Sequence, residues 1–256
     1  MRDIKECIVY EDDDICVCHK PSGVLTQADR GFSQDMVSAL MTYERKKGNK
    51  APFIAPVNRL DRPVEGLVLY AKNSKSAAAL TRQITQGEVD KCYYAVVKVT
   101  DKKGMENIQK EYSDRAVITL ENYLLKDSKT NMSHVVTEGT DDAKKAVLEY
   151  KVLGVEAGEE HALLRVKLHT GRHHQIRVQL SEAGMPILND TKYGAQQDEE
   201  KVKGSARTNR DDSLALCSYR LVFSHPVTRK KLTFEVIPKG KSFELFSEDF
   251  CKKDDI

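Results

Sequence analysis

The chain has 256 residues and a mass of 28.9 kDa. At roughly 100–200 residues per domain that is one large domain or two small ones, long enough to bury a core without disulfides. Hydrophobic residues make up 40% and charged residues 31%, and no apolar run approaches the roughly 18 residues a membrane span needs, so a membrane protein and a disordered chain are both excluded. Lys and Arg number 41 against 39 Asp and Glu, a net charge of +2, which excludes a strongly basic histone-like binder but leaves room for a nucleic-acid enzyme with a local basic cleft.

The N-terminus, MRDIKECIVYEDDD, is acidic and too short in apolar run for a signal peptide. With no export signal, the six cysteines are expected as reduced thiols in a cytoplasmic protein. Ile8-Val9-Tyr10, Glu11 to Asp14 and Ile15 to Cys18 read as strand, turn and strand, closed by the turn Lys20-Pro21-Ser22-Gly23. Met36, Val37, Leu40 and Met41 fall on one helical face that Gly48 stops. Gly66 to Ala71 is a continuous apolar run, the mark of a buried strand. Ser74 is the expected N-cap of a helix carrying Ala77, Leu80 and Ile84 and ended by Gly87. Tyr93 to Val99 reads as strand, and the polar stretch Asp101 to Lys110 as a hairpin tip.

In the second half, period-two alternation appears at Leu148-Tyr150-Val152, Leu164-Val166-Leu168 and Leu232-Phe234-Val236. Between them Ile176, Leu180 and Ala183 have helical spacing, with Gly184 as cap. Gln196 to Asp212 is polar throughout, either a solvated loop, which composition favours, or a nucleic-acid-contacting insertion. Lys252 to Asp255 reads as a frayed end. Strands come in groups with few helices between them, which predicts α+β with a mainly antiparallel sheet and flanking helices, not a doubly wound parallel sheet.

Chemistry-bearing residues concentrate in three places. Asp61 lies between Arg59 and Arg62, ahead of a turn and the buried strand. A carboxylate near guanidinium groups stays ionised and can serve as nucleophile, base or transition-state stabiliser, although Arg–Asp neighbours in turns are more often structural pairs. His169-Thr170-Gly171-Arg172-His173-His174-Gln175-Ile176-Arg177 joins a strand to a helix whose N-terminus suits phosphate, with Arg172, His173 and Arg177 adding charge. A metal site of His169, His173 and His174 is the weaker rival, because no nearby Cys, Asp or Glu completes it. Cys16 and Cys18 read as strand thiols pointing one way, not a zinc half-site. Lys91 and Tyr93, two apart, share one strand face, and Tyr93 there is suited to stack on a base.

Taken in order, these segments resemble the RluA-type family of RNA pseudouridine synthases. Tyr10-Glu11-Asp12-Asp13 and Lys20-Pro21-Ser22-Gly23 resemble its opening strand and Lys-Pro-x-Gly turn. Arg59-Leu60-Asp61 with Gly66-Leu67-Val68-Leu69 resembles its catalytic block, and Lys91-x-Tyr93-x-Ala95 its Lys-x-Tyr motif. Thr170-Gly171-Arg172-x-His174-Gln175-Ile176-Arg177 resembles its third motif, followed by Gly184-x-Pro186-Ile187, Asp190 and Tyr193-Gly194. His225-Pro226-Val227 and Leu232 to Pro238 match its closing segment. Two departures stand out: Asn58 replaces a common His, and Val64-Glu65 replaces two small hydroxyl residues of Asp-x-x-Thr-Ser-Gly. Both bear on substrate preference.

The resemblance implies a single catalytic domain over residues 1–256 with its core at about 8–240, built around a central RNA-binding cleft. It leaves no room in front for the S4-like domain many relatives carry. It implies isomerisation of a uridine in rRNA or tRNA to pseudouridine, without metal or organic cofactor and with the target base flipped out. Asp61 would act on the ribose or base, Tyr93 would stack on the base, and Arg177 would pair with Asp61. Arg59 would fill the vacated stack, and Lys20, Lys91, Arg172 and His173 would contact RNA. Monomer is the default. The alternatives are a non-catalytic RNA-binding or assembly factor on the same fold, and a hydrolase that releases the base, which would lower the RNA mass where isomerisation leaves it unchanged.

Overall fold

The apolar runs and alternations become the strands of two units in the structure, a computed structural model that describes residues 3–28, 35–99, 101–156, 160–194 and 213–251. One unit comprises Met1–Lys91 and Cys217–Pro238, the other Cys92–Leu216 and Lys239–Ile256. No described helix is long and apolar enough to cross a membrane.

In the first unit, β1 (Ile8–Glu11) and β2 (Ile15–Lys20) form the predicted strand–turn–strand, antiparallel. Asp12 makes the turn, its Oδ1 accepting from the backbone N–H of Asp14 and Ile15. Next come α1 (Met36–Lys46), the two-residue β3 (Ala55–Pro56), β4 (Glu65–Ala71) and α2 (Ser74–Thr85). After the second unit the chain returns as β10 (Leu216–Ser224) and β11 (Lys231–Glu235). Strand order is β1-β2-β4-β10-β11, with β3 on β4. Every residue of β4 is buried, as its unbroken apolar run predicts. One sheet face carries Ile15, Val17, Leu67, Leu69, Leu221 and Phe223, with Leu80 of α2 packed on it. Burying side chains of this size stabilises by about 1.5–3 kcal/mol each. The α2 cap is Asn73, one residue before the expected Ser74; its side chain accepts from Ser76 N–H at 2.9 Å.

The second unit holds β5 (Asp90–Lys98), α3 (Lys102–Ser113), β6 (Ile118–Asp127), β7 (Met132–Val136), β8 (Lys144–Val155), β9 (His161–Leu168) and α4 (Gln175–Glu182). Its strands run β5-β9-β8-β6-β7, all antiparallel. Within the units the one parallel pair is β4–β10, in keeping with α+β and a mainly antiparallel sheet. Val178 of α4 packs on Leu124 and Ala146, and Gln179 Nε2 donates to Asn122 Oδ1 at 2.8 Å.

The hairpin tip expected at Asp101 to Lys110 is instead α3. Asp101 caps it by accepting from Gly104 N–H at 2.7 Å, and Ile108 is buried. Met105, Ile108 and Tyr112 have helical spacing, but the segment is so polar overall that it reads as a surface loop. The β6–β7 pair also escaped the sequence reading, because β6 is half-exposed along its length. The stretch Gln196 to Asp212 and the end Lys252 to Asp255 lie outside the described residues.

Gly66 sits where β4 and β10 run in parallel, opposite Ser218. Its φ is +120°, and a Cβ there would fall inside the backbone of Ser218. Both the left-handed backbone and the close approach demand glycine. Gly66→Ala should lower folding stability by at least ~2 kcal/mol, read from urea unfolding; an unchanged midpoint would contradict this packing.

Candidate active site

The segment Asn58 to Gly66 is fixed almost entirely by polar side chains. Asn58 is buried; its Oδ1 accepts from Leu69 N–H at 2.8 Å and its Nδ2 donates to Leu67 O at 3.2 Å. Asn58 therefore splints this segment onto β4. Thr26 Oγ1 both donates to Leu60 O and accepts from Leu60 N–H. Ser22 Oγ donates to Pro63 O at 2.7 Å, Gly23 N–H to Arg62 O at 2.8 Å and Arg62 Nε to Gly23 O at 3.0 Å. Val64 N–H closes the turn on Asp61 O. The two motifs that are 40 residues apart in sequence thus fold as one piece, with Asp61 half-buried at its crest and Arg59 exposed beside it.

Lys20 is the centre of that piece, and the structure places it inside the protein. Its side chain is 0% exposed, and its Nζ donates to the carbonyls of Val24 (2.7 Å), Pro21 (3.0 Å) and Arg62 (3.3 Å). A lysine head enclosed by three carbonyls staples these turns together. Burial pushes its pKa from 10.5 down to about 7, against the opposing pull of Asp61 and Glu65. Behind the turn, His19 Nε2 lies 3.6 Å from Glu65 Oε2, both side chains buried.

Tyr93 is buried on β5 opposite Val166 of β9. Lys91, near the start of β5, is half-buried, and desolvation lowers its pKa. Arg172 is exposed, and its Nε donates to Lys145 O. His173 is half-buried, its Nδ1 2.9 Å from Ser133 Oγ and its ring stacked on His174 at 3.8 Å. Arg177 is 4% exposed on α4. Its Nε and Nη2 donate to the two oxygens of Asp190 at 2.8 and 2.7 Å. Desolvation works to raise the Asp190 pKa, but the Arg177 guanidinium and two backbone N–H groups win and hold it below the usual carboxylate range. The bidentate partnership with Asp190 was not read from the sequence; a carboxylate thirteen residues after an arginine carries no local signal.

The histidine trio is dispersed among other partners: His169 meets Glu149 at 3.2 Å, and His174 Nδ1 meets the Tyr193 hydroxyl at 2.8 Å. Among the described residues, donor atoms close enough for a metal occur at Asp12, Asp14 and His225. That group is already bonded within the fold, Asp12 to Tyr10 and His225 and Asp14 to Asn73 and Ser76.

The sequence profile of RNA pseudouridylate synthases matches residues 14–182, from β2 through α4. The chain belongs to that family. Its members are isomerases, and similar proteins bear this out. The chain is 31% identical over 232 residues to an uncharacterized RNA pseudouridine synthase of Aquifex aeolicus, covering 90% of this chain and 68% of that one. It is 28% identical to tRNA pseudouridine synthase C of Haemophilus ducreyi, covering 94% of each. It is 32% identical to ribosomal large subunit pseudouridine synthase D of Vibrio cholerae, covering 91% and 67%. The fold is similar to that of human RNA pseudouridylate synthase domain containing 4, with a TM-score of 0.70 at 20% identity over 96% of this chain and 93% of that one.

The Lys20 staple yields a pH-dependent expectation. An unfolded lysine titrates near 10.4. Between about pH 7 and 10.5 the unfolded chain holds a proton that the folded chain has released, so this group adds stability as pH rises through that window. Lys20→Met removes the donor from the carbonyls of Pro21 and Val24, while Arg62 O keeps the Gly23 N–H, and should cost about 2 kcal/mol at pH 9. The cost should shrink at pH 6, where the wild type carries a buried charge. Urea unfolding at both pH values checks this, and a pH-independent difference would rule out a desolvated amine.

Proposed function

We propose that this enzyme converts a specific uridine of a structured ribosomal or transfer RNA to pseudouridine, with Asp61 as the catalytic carboxylate. The observation that carries the reading is the placement of Asp61. It sits on a turn locked by Lys20, Ser22, Thr26 and Asn58 yet stays half-buried at the surface, in a chain of the pseudouridylate synthase family. A preorganised carboxylate on a rigid support is what a reaction at a sugar–base linkage needs. Two relatives are named for tRNA and for the ribosomal large subunit, which supports either RNA class.

Uridine and pseudouridine are isomers, so the conversion requires no oxidant, reductant or second substrate. The N-glycosidic bond breaks, uracil reorients, C5 bonds to C1′ and gives up its hydrogen as a proton, and N1 gains one. The base must first leave its stack, at a cost of a few kcal/mol. Arg59, exposed beside Asp61, fills the gap. Tyr93 supplies the stacking face for the everted base. Arg177 adds positive charge to the reaction, its guanidinium aligned by Asp190. Lys91, Arg172 and His173 bind RNA, while Lys20 shapes the turn. The site closes on the detached uracil so that water does not intercept it.

Asp61→Asn should abolish pseudouridine formation while RNA affinity stays within about threefold, because binding draws mostly on phosphate contacts. Pseudouridine mapping of total RNA with and without this gene identifies the substrate, and near-normal turnover by Asp61→Asn would remove this residue from the chemistry. Wild-type product should have the mass of the substrate; a loss of one uracil would indicate hydrolysis instead. RNA affinity should fall by about 0.7 log unit per log unit of salt for each phosphate neutralised, and a flat response would argue against a phosphate-lined cleft.

A further inference from the structure

The turn from Asp190 to Gly194 is tied to more partners than a connecting loop needs. Asp190 Oδ1 accepts from Arg177 Nη2, Lys192 N–H and Tyr193 N–H at 2.7, 2.9 and 3.1 Å. Gly194 N–H returns to Asp190 O at 2.9 Å, and a Cβ at Gly194 would press on that oxygen. Ser181 Oγ, one turn beyond Arg177 on α4, donates to Tyr193 O at 2.8 Å. On its other side the turn holds the β6–β7 hairpin. Lys192 Nζ donates to Asn131 O at 2.7 Å, and the Tyr193 hydroxyl accepts from Ser133 N–H at 2.8 Å.

Tyr193 is where the two sides meet. Its ring, buried with Leu124, Ala146 and Val178, lies 5.2 Å from the Arg177 guanidinium in cation–π contact. Its hydroxyl also meets His174 Nδ1 at 2.8 Å, with that ring edge-on at 5.6 Å. His174 starts α4 in the left-handed region, at φ 53°, a conformation a non-glycine residue keeps only when its surroundings fix it. Ser133 Oγ completes the ring of contacts through His173 Nδ1 and O. The hairpin so anchored presents Lys126, Lys129 and His134 to solvent.

We propose that Tyr193 is a positioning residue that joins Arg177 to the β6–β7 hairpin, its ring supporting the guanidinium and its hydroxyl fixing the start of α4 against Ser133. This rests on the reading that Arg177 serves the pseudouridine-forming site. Arg177 is thereby set from both flanks, by Asp190 in the plane of the fork and by the Tyr193 ring across its face. The hairpin is then part of the scaffold that aims Arg177.

The test compares Tyr193→Phe, which keeps the ring and loses the hydroxyl, with Tyr193→Leu, which loses both. Single-turnover rates, RNA Kd and the NMR signal of the Arg177 Nε–H are measured well below the melting temperature of each variant. Small displacements of a positioned group cost up to about 100-fold in rate, so Tyr193→Phe should lower turnover about 10-fold and Tyr193→Leu about 100-fold. RNA Kd should stay within about twofold in both, and the Nε–H signal should shift in both. Unchanged turnover and an unmoved Nε–H signal in Tyr193→Phe and Tyr193→Leu would overturn the proposal, as would a loss confined to RNA Kd. Arg177→Ala separates the two levels. If it turns over normally, the reading of Arg177 in the site fails; if it is inactive while the Tyr193 variants are normal, the positioning role fails alone. Should neither Tyr193 variant fold, Ser181→Ala reads the same residue from its backbone, since it removes the hydroxyl that holds Tyr193 O and spares the apolar core. A shifted Nε–H signal there supports the link, and an unmoved one overturns it.

Discussion

A single buried ammonium organises the first unit. Lys20 ends β2 inside the protein and gives its Nζ to three backbone carbonyls, two in its own turn and one at Arg62. Without it the carbonyls of Pro21 and Val24 would lose this donor, a costly change inside the protein, while Arg62 O would keep the Gly23 N–H. One side chain thus serves three carbonyls and fuses two loops. The Ser22, Thr26 and Asn58 bonds extend the same seam. Asp61 owes its fixed place to this seam and not to regular secondary structure, since it lies just before β4 begins.

The second unit solves a similar problem with charge. Arg177 is buried as deeply as a core leucine, and a guanidinium in that position is tolerated only with a partner that matches its geometry. Asp190 supplies it in bidentate form, and two backbone N–H groups stabilise the carboxylate in turn. Each unit therefore keeps an ionisable side chain inside the fold by giving it matched partners, Lys20 in the first and Arg177 in the second. Such groups contribute less to net stability than apolar packing would, and they specify one arrangement of loops more sharply.

The strands of this fold were legible where one face is dry and the other wet, as at Leu148-Tyr150-Val152 and Leu164-Val166-Leu168, or where both are dry, as in β4. Period and composition carry that information directly. They carry little for β6, which stands half in solvent, and in α3 the helical spacing of Met105, Ile108 and Tyr112 is masked by a charged composition. Asp61 and Arg177 stand out in the sequence because their neighbours form ordered motifs. The burial of Lys20 does not, because a lysine after a strand reads the same whether its head meets water or three carbonyls. Asp190 stood in the motif, but nothing local to it names a guanidinium thirteen residues earlier. The roles of Ser22 and Thr26 were hidden for the same reason, since their partners lie more than thirty residues away.

The His19–Glu65 contact sets a rule on how this chain can change. Both side chains are enclosed by the protein, so a change at one alters the packing against which the other is held. Drift at these two places is therefore expected to be joint.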